Sequence, residues 1–147
     1  MQILLDSNIL LRWLEAEQPD QVVVTAAVDR LLLSKDDPCY TSQNLSEFWN
    51  TLTRPVNRNG YGLSPEEANR RAIAIESRIQ LLPDGLAIHK EWRKLLVSHR
   101  ISGVQVHDAR LVASMHVHGV KRILTFNTKD FMRFTDIEAI HPADLKD

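Results

Sequence analysis

Four acidic residues of this chain, Asp6, Glu47, Asp108 and Asp130, lie where a short apolar run gives way to a helical or turn-forming stretch. Asp6 ends Ile3-Leu4-Leu5 and precedes an amphipathic stretch from Ile9 to Glu15. Glu47 lies in the helix after Cys39-Tyr40-Thr41, and Asp108 opens a later helix. Asp130 sits in the turn after Ile123-Leu124-Thr125, with Asn127 before it. In an open sheet of parallel strands these four segments leave one edge, the edge at which ligand sites gather. Carboxylates brought within about 4 Å repel by roughly 4 kcal/mol per pair at an effective dielectric near 20, so such a cluster calls for a cation. An all-oxygen donor set selects a hard ion, Mg²⁺ or Mn²⁺.

Taken singly, each carboxylate also has a plainer role. Asp6 and Asp108 are placed to cap the helices they precede. Asp130 can stabilise the short helix that holds Phe131 and Phe134. Glu47 falls opposite the apolar stripe Leu45, Phe48, Trp49 and Leu52, so it is a ligand only if that outer helix face lines the cleft.

The elements that must position these groups follow from hydrophobic period and punctuation. Gln18-Pro19-Asp20 breaks the first helix, and Val24, Ala27, Val28, Leu31 and Leu32 form the stripe of a second, which stops near residues 34–38. A second strand covers Cys39 to Thr41. Ser42 or Asn44 can cap the next helix, and Arg54-Pro55 ends it. The turn-rich stretch 57–62 is expected to be the most mobile segment. Ser64-Pro65-Glu66-Glu67 reads as a capping box with proline at the first helical position, opening a helix with Ala68, Ala72, Ile75 and Ile79 on one face. Residues 79–83 fit a third strand and Ala87 to Val97 another helix. Ile101 to Val106 reads as an approach loop, Asp108 to His118 as a helix closed by Gly119, and Ile137 to Ile140 as the last strand. Short apolar runs alternating with helices give an α/β fold with a parallel sheet and helices on both faces.

At 147 residues with 44% hydrophobic content, the chain fits a single domain, residues 1–147, with a sizeable core. Its net charge of −1 means that attraction to nucleic acid must come from a local patch of the 18 Lys and Arg residues. The single Cys39 forms no internal disulfide, and no leader or membrane-length apolar run is read. A cytoplasmic location is therefore expected.

Four segments together resemble the PIN-domain ribonucleases, in particular the toxin subunits of VapBC-type toxin–antitoxin pairs. They are Ile-Leu-Leu-Asp6-Ser7-Asn8, Thr41-Ser-Gln-Asn-Leu-Ser-Glu47-Phe-Trp-Asn, Val106-His-Asp108-Ala-Arg-Leu-Val-Ala and Leu124-Thr-Phe-Asn127-Thr-Lys-Asp130-Phe. The resemblance spans residues 3 to 131 in order. It implies a PIN-like three-layer α/β/α fold with a central, mainly parallel sheet of about five strands. It also implies a Mg²⁺- or Mn²⁺-dependent endoribonuclease, frequent homodimers and a small antitoxin partner.

By motif match, Asp6, Glu47 and Asp108 fall on the family's acidic core. Many members carry an aspartate where this chain has Asn127, so Asp130 is the candidate for the fourth position, and Ser7 stands where a hydroxyl supports the first aspartate. Glu47, if not a direct ligand, could orient the attacking water. Arg12, Arg54, Arg58 and Lys129 flank the acidic segments as candidate RNA backbone contacts, each with ordinary surface charge as the alternative.

Other readings stay open. His107, His116 and His118 invite zinc, but no Cys cluster accompanies them, and positions 116 and 118 point apart on a helix. Trp13, Trp49 and Trp92 read as core or interface residues. A phosphohydrolase of the haloacid-dehalogenase type would need a second acid where this chain has Asn8. A catalytically silent PIN scaffold that binds RNA or a protein remains, as does an RNA-processing nuclease without an antitoxin. The apolar stripes of Ile9 to Leu33 and the helix starting at Ser64 are the expected partner surface, where an amphipathic antitoxin tail could lie with a basic side chain reaching toward the acidic site.

Overall fold

The structure is a computed structural model that describes residues 1–14 and 20–146. Strand β1 (Gln2–Leu5) is followed by α1 (Ser7–Trp13), α2 (Gln21–Leu33), β2 (Asp37–Thr41), α3 (Ser42–Thr53), α4 (Pro65–Glu76), β3 (Gln80–Leu82), α5 (Leu86–Ser98), α6 (Gln105–His118), β4 (Arg122–Leu124) and β5 (Glu138–Ile140). Short 3₁₀ turns cover Val56–Arg58, Thr128–Phe131 and Pro142–Asp144. Residue 15 and the expected break at 18–19 lie outside the described residues.

The five strands run parallel in the order β3-β2-β1-β4-β5. Because β1 is central and covered on both faces, its apolar run is continuous rather than alternating. Ile3 and Leu5 face one core with Tyr40 and Leu124, beneath the buried sides of α1 to α4. Leu4 faces the other with Cys39 and Ile123, beneath α5 and α6. The expected three-layer α/β/α arrangement is thus present, with all strands parallel.

Several boundaries differ from expectation for local reasons. β2 begins at Asp37 and takes in Pro38, which pairs only toward β1 at Ile3, because pairing with β3 starts at Cys39. The proline's missing N–H therefore breaks no two-sided ladder. The cap of α3 is Thr41, not Ser42 or Asn44. Asn44 N–H donates to Thr41 Oγ1, and the side-chain Oδ1 of Asn44 accepts from Thr41 N–H in return. At α4, Ser64 Oγ accepts from Glu67 N–H, but the Glu67 carboxylate turns to Arg70 and Arg71, so only half of the expected capping box forms.

The stretch 57–62, expected to be mobile, is strapped to α3. The Tyr61, Gly62 and Leu63 amides donate to the carbonyls of Thr51, Arg54 and Leu52. Asn59 and Gly62 take left-handed backbone angles that turn the chain back. Helix α6 starts at Gln105, earlier than the expected Asp108, absorbing the end of the supposed approach loop.

Candidate active site

The chain places β1 to β3 on one side and then returns to place β4 and β5 on the other, so the direction of winding reverses between β1 and β4. A crevice opens beyond the carboxyl ends of strands at such a point. Asp6 is the first residue beyond β1, and its N–H donates to Leu124 O of β4, stitching the two strand ends together.

Only 6% of Asp6 is exposed, and both of its carboxylate oxygens accept hydrogen bonds. Oδ1 accepts from Ser7 N–H at 2.8 Å, and Oδ2 accepts from Thr125 Oγ1–H at 2.8 Å and from Asn8 Nδ2 at 3.4 Å. Burial nevertheless drives its pKa above the ordinary value. The Thr125 and Ser7 hydrogen bonds oppose that rise, and the Glu47 charge adds to it. Asp6 is therefore both the cap of α1 and a carboxyl group whose charged form burial disfavours.

Glu47, which the helical wheel set opposite the apolar stripe, faces the crevice. Ser7 Oγ donates to its Oε2 at 2.7 Å, and Gln43 Nε2 donates to its Oε1 at 3.2 Å. The Ser7 hydroxyl thus serves Glu47 more closely than Asp6, whose Oδ1 lies 3.4 Å away.

Asp108 is not a cap, since α6 begins three residues earlier with no side-chain cap bond. It lies in the first turn, half-buried. Its pKa is pushed up to about 6, first by burial and then by the carboxylates of Asp130, Asp6 and Glu47 in that order, with His107 opposing. That one carboxyl group registers all three others, so the four expected acids share one electrostatic neighbourhood. None of them has an ion-pair partner among the described residues.

Asp130 is exposed in the 3₁₀ turn Thr128–Phe131. Asn127 contributes through its backbone, whose N–H donates to Thr125 Oγ1 at 3.0 Å and whose carbonyl accepts from Asp130 N–H.

Among the described residues no three His, Cys, Asp or Glu side chains form a ready ligand cage. The donor chemistry still fits a hard divalent ion. Mg²⁺ keeps several waters and takes one or two carboxylates, so it does not require an all-protein cage, and a cation would relieve the repulsion that Asp108 registers.

The candidate cations divide. Arg12 donates to Asn8 O at 3.0 Å and lies 4.8 Å from the Phe126 ring centre, and Arg54 donates to Asn59 O at 2.9 Å. Arg58 and Lys129 are exposed and without an ion-pair partner among the described residues. The histidines are dispersed: His116 lies between Glu91 and Asp136, His118 bonds to Pro83 O, and His107 is exposed. Thr125, Asn8 and Gln43 are site residues that the sequence reading did not single out. The usable signal for Gln43 was its place one helical turn before Glu47.

A family model described as PIN domain matches residues 3–137. Among solved structures, the chain is similar to VapBC2 from Rickettsia felis bound to a DNA fragment from its promoter. That match has 14% identity and a TM-score of 0.70, and covers 96% of this chain and 98% of the other. It is also similar to Mycobacterium tuberculosis VapC20, a toxin that cleaves the sarcin–ricin loop, with 20% identity, 89% and 94% coverage and a TM-score of 0.65. A third similar structure is FitAcB from Neisseria gonorrhoeae, with 19% identity, 99% and 100% coverage and a TM-score of 0.66. At such identities the likeness carries the fold. No curated protein matches the chain by sequence.

Proposed function

Because this chain belongs to the PIN domain family, we propose that it is a Mg²⁺- or Mn²⁺-dependent endoribonuclease and the toxin of a type II toxin–antitoxin pair. The observation that carries this reading is the unpaired carboxylate group at the β1/β4 crevice, in which the Asp108 carboxyl is pushed up to about 6. Asp6 and Asp108 are the proposed ligands, with Asp130 completing the set and Glu47 at its margin. A divalent ion bound there would supply a water of lowered pKa and offset the charge that develops on the phosphoryl oxygens and leaving oxygen. Glu47, with each oxygen held by one donor, keeps lone pairs free to orient that water and accept its proton. The Thr125 and Ser7 hydrogen bonds favour the ionised form of Asp6 and so offset part of the effect of its burial. Arg58 and Lys129 are the cations freest to meet RNA phosphates; Arg54 would do so with the donors left over from its backbone bond, and Arg12 only in competition with Asp20, 3.6 Å from its Nε.

The test is cleavage of total cellular RNA and of a sarcin–ricin stem–loop, with Mn²⁺ and with chelator. Cleavage that needs the ion and is lost in Asp108→Asn is the expected result. Cleavage undiminished by chelator would overturn the metal role. The absence of a ready ligand cage among the described residues favours a second reading, a silent scaffold that binds RNA or a protein. That reading gains if the protein neither cuts RNA nor shifts its melting point with Mn²⁺.

The partner reading rests on α2, which exposes Val22 (75%) and Leu33 (89%). Val22, Val23, Ala26 and Arg30 line a groove of about 450 Å³ with Pro142 and Leu145, suited to the apolar face of an antitoxin helix. A homodimer and a cytoplasmic setting complete the proposal. No helix among the described residues is long and apolar enough to cross a membrane.

A further inference from the structure

The geometry points to Gln43 as a positioning residue that sets the distance between the Glu47-bearing and Asp108-bearing helices, a role that rests on the nuclease reading above. Gln43 stands in the first turn of α3, four residues before Glu47. Its amide nitrogen donates at 3.2 Å to Glu47 Oε1 and at 2.8 Å to the carbonyl of His107, the residue before Asp108. One NH₂ group thus bridges two elements that carry like charges.

The orientation of that amide follows from its surroundings. Turned over, the Gln43 oxygen would face a carboxylate oxygen and a carbonyl oxygen together, and only the NH₂ group can satisfy both. Its own oxygen is buried without a hydrogen-bond partner among the described residues. A buried, unsatisfied acceptor is a cost that a merely space-filling residue would not carry.

The bridge completes a chain of contacts across the crevice. Asp6 Oδ1 accepts from Ser7 N–H, Ser7 Oγ donates to Glu47 Oε2, Gln43 donates to Glu47 Oε1, and the same Gln43 nitrogen holds His107 O. Without a cation, mutual repulsion of the carboxylates tends to part α3 from the start of α6, and the Gln43 bridge resists that parting. Its effect should therefore appear in how readily the site accepts a divalent ion and in turnover, and much less in RNA affinity.

The test compares the parent with Gln43→Met, which keeps length and bulk but has no donor, and Gln43→Glu, which sets a third carboxylate against Glu47. Two readouts need no turnover. Amide hydrogen exchange of residues 105–108 in the metal-free protein should quicken in both variants. The Mn²⁺ concentration that half-saturates the rise in melting temperature should increase about 10-fold, the scale on which the supports of metal ligands act. In RNA cleavage, kcat should fall about as much while KM stays within about twofold. Unchanged exchange at 105–108, or a uniform loss of melting temperature with the same Mn²⁺ midpoint and kcat, would overturn the positioning role. A parent protein that neither cleaves RNA nor responds to Mn²⁺ would instead overturn the nuclease reading and, with it, any part of Gln43 in catalysis. The exchange data would still report whether the bridge holds the two helices.

Discussion

Ser7 Oγ donates to Glu47 Oε2 at 2.7 Å across 40 residues of chain, while the backbone N–H of the same serine donates to Asp6 at 2.8 Å. One residue therefore fixes two carboxylates relative to each other, using its amide for one and its hydroxyl for the other. Ser7→Ala should leave the Asp6 cap intact and release one oxygen of Glu47. The expected stability loss is about 1 kcal/mol in chemical denaturation, with a larger proportional loss in RNA cleavage. A variant that cleaves at the parental rate would remove Glu47 orientation from the mechanism.

Asp6→Asn keeps the shape of the first carboxylate and deletes its charge. Asparagine caps about as well as aspartate, and the deletion relieves one source of the repulsion felt at Asp108. The metal-free variant should melt at the parental temperature or slightly above it. Mn²⁺-induced stabilisation and RNA cleavage should both be lost. Parental cleavage with an unchanged metal shift would sink the proposed site.

Asp108 makes the metal-free protein sensitive to pH in a definite direction. Its folded-state pKa of about 6 exceeds the ordinary 3.8, so between those values the folded state binds more protons than the unfolded state. Stability from this group falls as pH rises from about 4 through about 6. After discounting for its partial exposure, the loss is on the order of 1 kcal/mol. Asp6, also raised, acts in the same direction. Melting curves from pH 4 to 8 should show the decline without Mn²⁺ and lose most of it with saturating Mn²⁺. Asp108→Asn should flatten the metal-free profile.

Thr125→Val removes the hydroxyl that donates to buried Asp6 at 2.8 Å. A hydrogen bond to a charged group is worth roughly 1.5–3 kcal/mol, so the variant should lose about that much where Asp6 is ionised. The loss should shrink at pH values where Asp6 is protonated. A penalty that does not change with pH would show that packing, not the charge, is what Thr125 supports.

Gly60→Ala tests the strap behind the site. A Cβ at this position would lie 1.9 Å from Arg54 O and 2.3 Å from Arg54 C, both backbone atoms that end α3. The strap must shift, at an expected cost of about 1–3 kcal/mol. Denaturant midpoints should record the loss, while Mn²⁺ dependence should stay near parental because none of the four carboxylates lies on the strap.

Much of this arrangement is legible in the sequence, and the exceptions have physical causes. Asp6 and Asp108 are readable because a both-sides-buried strand and a Gly-terminated helix leave strong patterns around them. Glu47 is harder to read, because its motif assigns it to the acidic group while the stripe Leu45, Phe48, Trp49 and Leu52, read as the core face, sets it at the back of the helix. The side chains that α3 actually buries are Asn44, Phe48 and Leu52, and a polar residue is admitted there because it completes the cap with Thr41. That choice turns the buried face by about 50° and brings Glu47 from the back of the helix to its flank. Thr125 was overlooked because a β-branched residue at a strand end reads as packing, although its hydroxyl carries the contact. At 57–62 the turn residues that suggest looseness also permit close return to α3.

The central position of β1 bears on how the molecule is assembled in time. Its neighbour β2 follows within 40 residues, but β4, which covers its other edge, begins only at Arg122. Until β4 docks, one edge of β1 offers unpaired backbone groups, and Asp6 lacks the Thr125 hydroxyl that opposes its protonation. Closing so distant a contact is slow compared with forming the local helices. A nascent chain therefore carries Asp6 and Glu47 well before α6 and the Thr125 hydroxyl can join them. The acidic group is thus complete only late in synthesis, and fragments released before β4 should be prone to pair with one another through the open edge of their first strand.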